Sequence, residues 1–137
     1  MQDDAPRLVD TAAWLRRAAL DVRAAEVDLT TTPALLGDAA FHCQQAAEKA
    51  LKSFLTWHDV PFRRTHDLAE IGQQCSSLDL SIEPTCRRAE RLTAYAWIFR
   101  YPGDVEEPSR EEVEDALALT REVYGAVPNR FPEEVRP

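Results

Sequence analysis

Apolar residues recur at spacings of three and four through the stretch AAFHCQQAAEKALKSFL, Ala39 to Leu55. Cys43, Ala47, Ala50 and Phe54 fall on one side of a helix, and Ala40 and Leu36 continue the stripe upstream. Gln45, Glu48, Lys49 and Lys52 gather on the opposite side. Ala, Leu, Lys, Glu and Gln dominate, the residues that lose least on entering a helix. The pattern predicts an amphipathic helix from about Ala34 to Asp59, entered at Pro33 and ended by Pro61, with Gly37 weakening its first turns. Small residues on its apolar face let a neighbour pack close.

The same spacing defines four further elements. A helix capped by Asp10 or Thr11 runs to about Leu29, with Leu15, Ala18, Val22, Ala25 and Leu29 as its seam and Arg16, Arg17, Asp21 and Arg23 in solvent. After the turn PFRRT, a shorter helix capped near His66 or Asp67 turns Leu68, Ile71, Cys75 and Leu78 inward. Pro84 opens a helix with Ala89, Leu92, Ala96 and Phe99 facing in, ended by Pro102 and Gly103. Ser109 with Glu112 forms a capping box for a last helix, whose inward residues are Val113, Ala116, Leu117, Val123 and Tyr124. No stretch alternates like a strand. The fold class read from the pattern is all-α: an antiparallel bundle of four principal helices plus one shorter helix over residues 10–127, with a flexible lead-in over 1–9 and a frayed tail over 128–137.

Trp97 falls roughly 140° round from Leu92, against the inward stripe, and is the candidate dimer contact.

At 137 residues the chain forms one domain with a real core. It has no apolar run long enough to span a membrane, and the start MQDDAPR is unlike a signal peptide, so the cytoplasm is the expected compartment. Cys43, Cys75 and Cys86 form no CxxC pair and read as buried free thiols. No ligands are paired at the short spacing of a zinc site, and no cofactor is expected. The net charge of −8 argues against loose electrostatic binding to nucleic acid. That charge is uneven: residues 48–100 are slightly basic, whereas residues 101–137 are strongly acidic. An anion site therefore belongs in the middle third, and the last helix should carry an acidic outer face.

Three segments concentrate the groups able to do chemistry. On the polar face of the second helix, Glu48 and Lys52 make an i,i+4 pair, which is either solvated surface or, with Lys49, part of a nucleotide or phosphate site. In RRTHDL, Asp67 suits a helix start, while Arg63, Arg64 and His66 together can grip a phosphate. In FRYPGD, Arg100 favours the negative end of its helix and Tyr101 offers a stacking surface for a base. His42 reads as a packed or rim histidine and His58 as a dipole partner at a helix end. There is no phosphate-binding glycine loop, no nucleophile elbow and no His-Glu-x-x-His pair.

Three pieces taken in order carry a resemblance: Gln45 to Lys52 (QAAEKALK), then His66-Asp67-Leu68, then Arg100-Tyr101-Pro102. Together they resemble the HEPN domain family over roughly Asp10 to Val127. The resemblance implies a helical bundle, usually a homodimer, of the kind commonly encoded beside a minimal nucleotidyltransferase as its nucleotide- or substrate-binding partner, often in toxin–antitoxin pairs. Many relatives are metal-independent ribonucleases carrying an Arg-x4-6-His motif. This sequence departs there. No Arg precedes His42, His58 or His66 at the required distance, and Arg100 is followed at those distances by Val105, Glu106 and Glu107. Glutamate is a poorer proton donor than histidine near neutral pH. The expectation is a non-catalytic partner protein, with an endoribonuclease toxin using Arg100 and His66 as the alternative and a purely structural interaction module as the third reading.

Overall fold

The computed structural model describes residues 5–103 and 106–136. Residues 1–4 of the expected lead-in, Asp104 of FRYPGD with Val105 after it, and Pro137 of the tail lie outside them. The described residues are helical with no strand: α1 (Ala5–Asp28), α2 (Leu36–Trp57), α3 (Leu68–Leu78), α4 (Glu83–Ala89) and α5 (Arg110–Ala126). None of these helices is long and apolar enough to cross a membrane.

Helix α2 is the centre of the molecule. Its small-residue stripe, Ala39, Ala40, Cys43, Ala47 and Ala50, is fully buried, and Leu51, Phe54 and Leu55 extend the core beneath its C-terminal turns. Leu15, Ala18 and Ala25 of α1 and Val113, Leu117 and Val123 of α5 fill the same core. The Thr120 hydroxyl on α5 donates to the Cys43 carbonyl at 3.1 Å, and the Cys75 thiol on α3 lies 3.5 Å from the Leu51 carbonyl. All three thiols are buried and unbridged. Burial pushes the Cys43 thiol up to about 12.

The two ends of α2 are closed differently. At the C-terminal end Asp59 adopts a left-handed φ of 57°, the Val60 amide returns to the Leu55 carbonyl and the Asp59 amide to that of Thr56. This is a locally encoded Schellman stop. At the N-terminal end no side chain of the preceding turn caps the helix. Glu107 does so from far along the chain, accepting the Gly37 amide at 2.7 Å. A Cβ on Gly37 would stand 3.0 Å from both Glu107 and the Phe99 Cβ, so the glycine is needed for close approach.

Several element boundaries differ from the sequence reading. Helix α1 starts at Ala5 rather than near Asp10, because Arg7 lies over the Trp57 ring at 4.7 Å and Leu8 packs on the core. Asp21, expected in solvent, is buried at the α1–α2 contact, and Leu78, expected inside, is exposed. The fourth helix tightens into a 3-10 segment over Glu90–Ala96, where the Thr93 hydroxyl accepts the Leu68 amide of α3. The described tail is not frayed at Phe131 and Val135: both are buried, and the Phe131 ring stacks on Phe54. Asp67 caps α3 by accepting the Ala69 amide, and Ser109 caps α5 by accepting that of Glu112. The outer face of α5 is acidic as expected, with Glu111, Glu112, Glu114 and Glu122 exposed.

Candidate functional site

The polar side of α2 is not a solvent face. Glu48 is 3% and Lys52 7% exposed, covered by α1 and by the segment joining α2 to α3. Glu48 Oε1 accepts from Gln44 Nε2 at 3.0 Å and lies 2.7 Å from His66 Nδ1, while Oε2 accepts from Lys52 Nζ at 2.9 Å. Gln44 also reaches the His66 carbonyl at 3.2 Å and receives the Gln45 amide at 2.7 Å. The Lys52 ammonium is flanked by the rings of Trp14 and Phe62, 5.6 and 5.4 Å from their centroids. Every group of this cluster meets a complementary partner, which is what makes a buried ion pair tolerable. His66 meets Glu48 through Nδ1, from a side chain that is 57% exposed.

A second cluster lies at the other half of α2, against the end of α1. Asp21 holds the Lys49 ammonium at 2.6 Å and His42 Nδ1 at 2.8 Å. His42 Nε2 stands 3.3 Å from Asp38 Oδ2, and Arg100 is 3.5 Å from Asp38 Oδ1 while lying 3.9 Å over the Phe41 ring. The Asp21 hydrogen bond raises the His42 pKa above its ordinary value. Asp28 completes the group; burial and the neighbouring Asp38 carboxylate raise it to about 6. Beside this cluster, Pro33–Asp38, Phe99, Arg100 and Glu107 line a cleft of about 490 Å³.

The sequence-selected residues therefore divide. Lys49 and Lys52 are each committed to a buried carboxylate, Lys49 from a half-buried position and Lys52 from a buried one. Arg63 is paired with Glu70 at 2.6 Å, which raises its pKa further. Arg64, exposed, pairs with nothing among the described residues, and His66 stands beside it in the chain. Tyr101 and Trp97 are 74% and 48% exposed. His58, at the end of α2, packs on the Phe54 ring, and desolvation lowers its pKa. Arg100 and His66 are not brought together: they bind Asp38 and Glu48, ten residues apart on α2 and so about 15 Å along its axis.

Gln44, Asp21, Asp28 and Asp38 were not singled out from the sequence. Two signals were available there, the i,i+4 pairs Gln44–Glu48 and Asp38–His42. The contributions of Asp21 and Asp28 depend on how α1 lies against α2.

The HEPN domain family model matches residues 11–130. The chain belongs to the HEPN domain family. No curated protein sequence and no solved structure matches it significantly. Glu48 and Lys52 of QAAEKALK and His66 of His66-Asp67-Leu68 thus meet in one hydrogen-bonded cluster, closed at Glu48.

Proposed function

We propose that this HEPN protein is a non-catalytic partner that binds a nucleotide for a minimal nucleotidyltransferase, acting as a cytoplasmic homodimer with Trp97 at the contact and encoded as one half of a toxin–antitoxin pair. The observation that carries the reading is the division of cations. Lys49 and Lys52 neutralise buried acids and act as scaffold, while Arg64, His66, Arg100 and Tyr101 face outward as groups able to meet phosphate and base. An antiparallel bundle is supported by pairings that run in opposite order along α1 and α2, Asp21 with Lys49, Trp14 with Lys52 and Arg7 with Trp57.

Titration of the purified chain with ATP tests the binding half. Saturable binding weakened about tenfold by Arg64→Ala or Arg100→Ala is expected, the loss of one charge-assisted hydrogen bond. Absence of any ATP binding removes nucleotide from the proposal.

The ribonuclease reading keeps one observation in its favour. His66 is an exposed imidazole whose inner nitrogen is fixed by a buried carboxylate, an arrangement suited to proton transfer. Cleavage of a single-stranded RNA by the chain, abolished in His66→Ala, would put this reading first.

A further inference from the structure

The cluster at the N-terminal half of α2 is unlike its neighbour because it has more acceptors than donors. Asp28 is 8% exposed, and its Oδ2 is buried without a hydrogen-bond partner among the described residues. Its carboxylate, that of Asp38 and the His42 ring each place one donor atom within 4.8 Å of the others. A buried carboxylate oxygen facing a second carboxylate is costly unless a proton or a cation lies between them.

We propose that Asp28, Asp38 and His42 form a binding site for one divalent transition-metal ion of the zinc type. The surroundings already orient two of the three ligands, His42 and Asp38. Asp21 takes His42 Nδ1 and leaves Nε2 to coordinate, the arrangement in which metal-binding histidines are commonly held by a carboxylate behind them. Lys49 anchors Asp21 in turn. Arg100 stands at Oδ1 of Asp38, leaving Oδ2, which already faces His42 Nε2, for the ion. One imidazole with two carboxylates selects a borderline ion such as Zn²⁺ over Mg²⁺, which prefers oxygen and retains its water. Donors around a single such ion lie roughly 3–4 Å apart; His42 Nε2 and Asp38 Oδ2 already stand at 3.3 Å, and the Asp28 oxygen lies within 4.8 Å of both. Asp38 and His42 are 42% and 24% exposed at the side chain, so the ion has a route in and keeps a position open toward the Arg100 cleft.

The test is titration of the full chain, stripped with chelator, with Zn²⁺ alone by calorimetry, with Mg²⁺ as control. One Zn²⁺ per chain is expected, with a rise in Tm that Mg²⁺ does not give. Asp28→Asn and Asp38→Asn should each weaken the site by at least about 100-fold, more than loss of a group behind a ligand usually costs. Both variants should stay folded, since one removes an unpartnered buried charge and the other alters a partly exposed side chain. Absence of a one-per-chain Zn²⁺ site in the parent, or its retention in either variant, overturns the proposal. Co²⁺ in place of Zn²⁺ should show no thiolate charge-transfer band; such a band would assign the ion to a cysteine and overturn it equally.

Discussion

Along the C-terminal half of α2, Gln44, Glu48, Lys52 and His66 match acceptors to donors atom by atom, and two aromatic rings seal the lysine. Along the N-terminal half, Asp21, Asp28, Asp38 and His42 crowd three carboxylates around one imidazole and leave an oxygen orphaned. Both clusters sit on the same helix, and each draws in a residue of another segment. The first is built as a structural element: nothing in it is missing, and only the outer edge of His66 remains to act. The second is incomplete by the same standard, and incompleteness in a buried polar cluster points to something that completes it.

The comparison can be broken most severely at Glu48. Glu48→Ala leaves the Lys52 ammonium buried and unpaired, and should cost about 3–5 kcal/mol in urea unfolding. A loss of under about 1 kcal/mol would mean that the cluster is solvated after all.

The matching change in the other cluster has the opposite sign. Asp28 titrates near 6 in the folded chain against an ordinary 3.8, so its contribution to stability is present at acid pH and is lost as pH rises through about 6. Asp28→Asn in the metal-free protein should therefore stabilise by about 1–3 kcal/mol at pH 8 and by almost nothing at pH 4. His42, also raised, adds a loss of the same direction above its ordinary 6.5. Unfolding curves of parent and variant across that pH range check both sign and window; a variant less stable at pH 8 refutes the orphaned-acid account.

A smaller effect sharpens the difference between the helix ends. Gly37→Ala should cost about 1 kcal/mol, since its Cβ meets the Phe99 Cβ and the Glu107 carboxylate that caps the helix. Asp59→Gly at the locally encoded stop should stabilise by a few tenths to about 1 kcal/mol, because glycine adopts the left-handed φ without strain. Arg63→Ala, which breaks only an exposed ion pair with Glu70, should leave the unfolding midpoint unchanged.

Legibility in the sequence followed the range of the interactions. The stripe of α2, the Asp67 and Ser109 caps and the inward residues Val113, Leu117 and Val123 are set by neighbours three or four positions away, and periodicity exposes them. The same method misread Asp21 as solvated, because one helix considered alone does not show what its polar side meets. It likewise set Phe131 in a frayed tail, when the ring stacks on Phe54 from more than seventy positions away. Of the candidate site, the groups facing outward were legible by type and position. Their sorting into scaffold and exposed groups was not, since Lys49 and Arg64 cannot be told apart by charge alone. Lys49 is fixed only by meeting Asp21, a residue of another helix.

The sequence by itself determined an all-helical chain, the family to which it belongs and the apolar sides of the second and last helices, because local propensity and a period of 3.6 residues suffice for these. Only the tertiary structure decided which charges are buried. Packing α1 and the segment after α2 across its polar side brings Asp21, Asp28 and His66 to it, and removal of water there makes one cluster in which donors and acceptors match and one that leaves a buried carboxylate oxygen unpartnered.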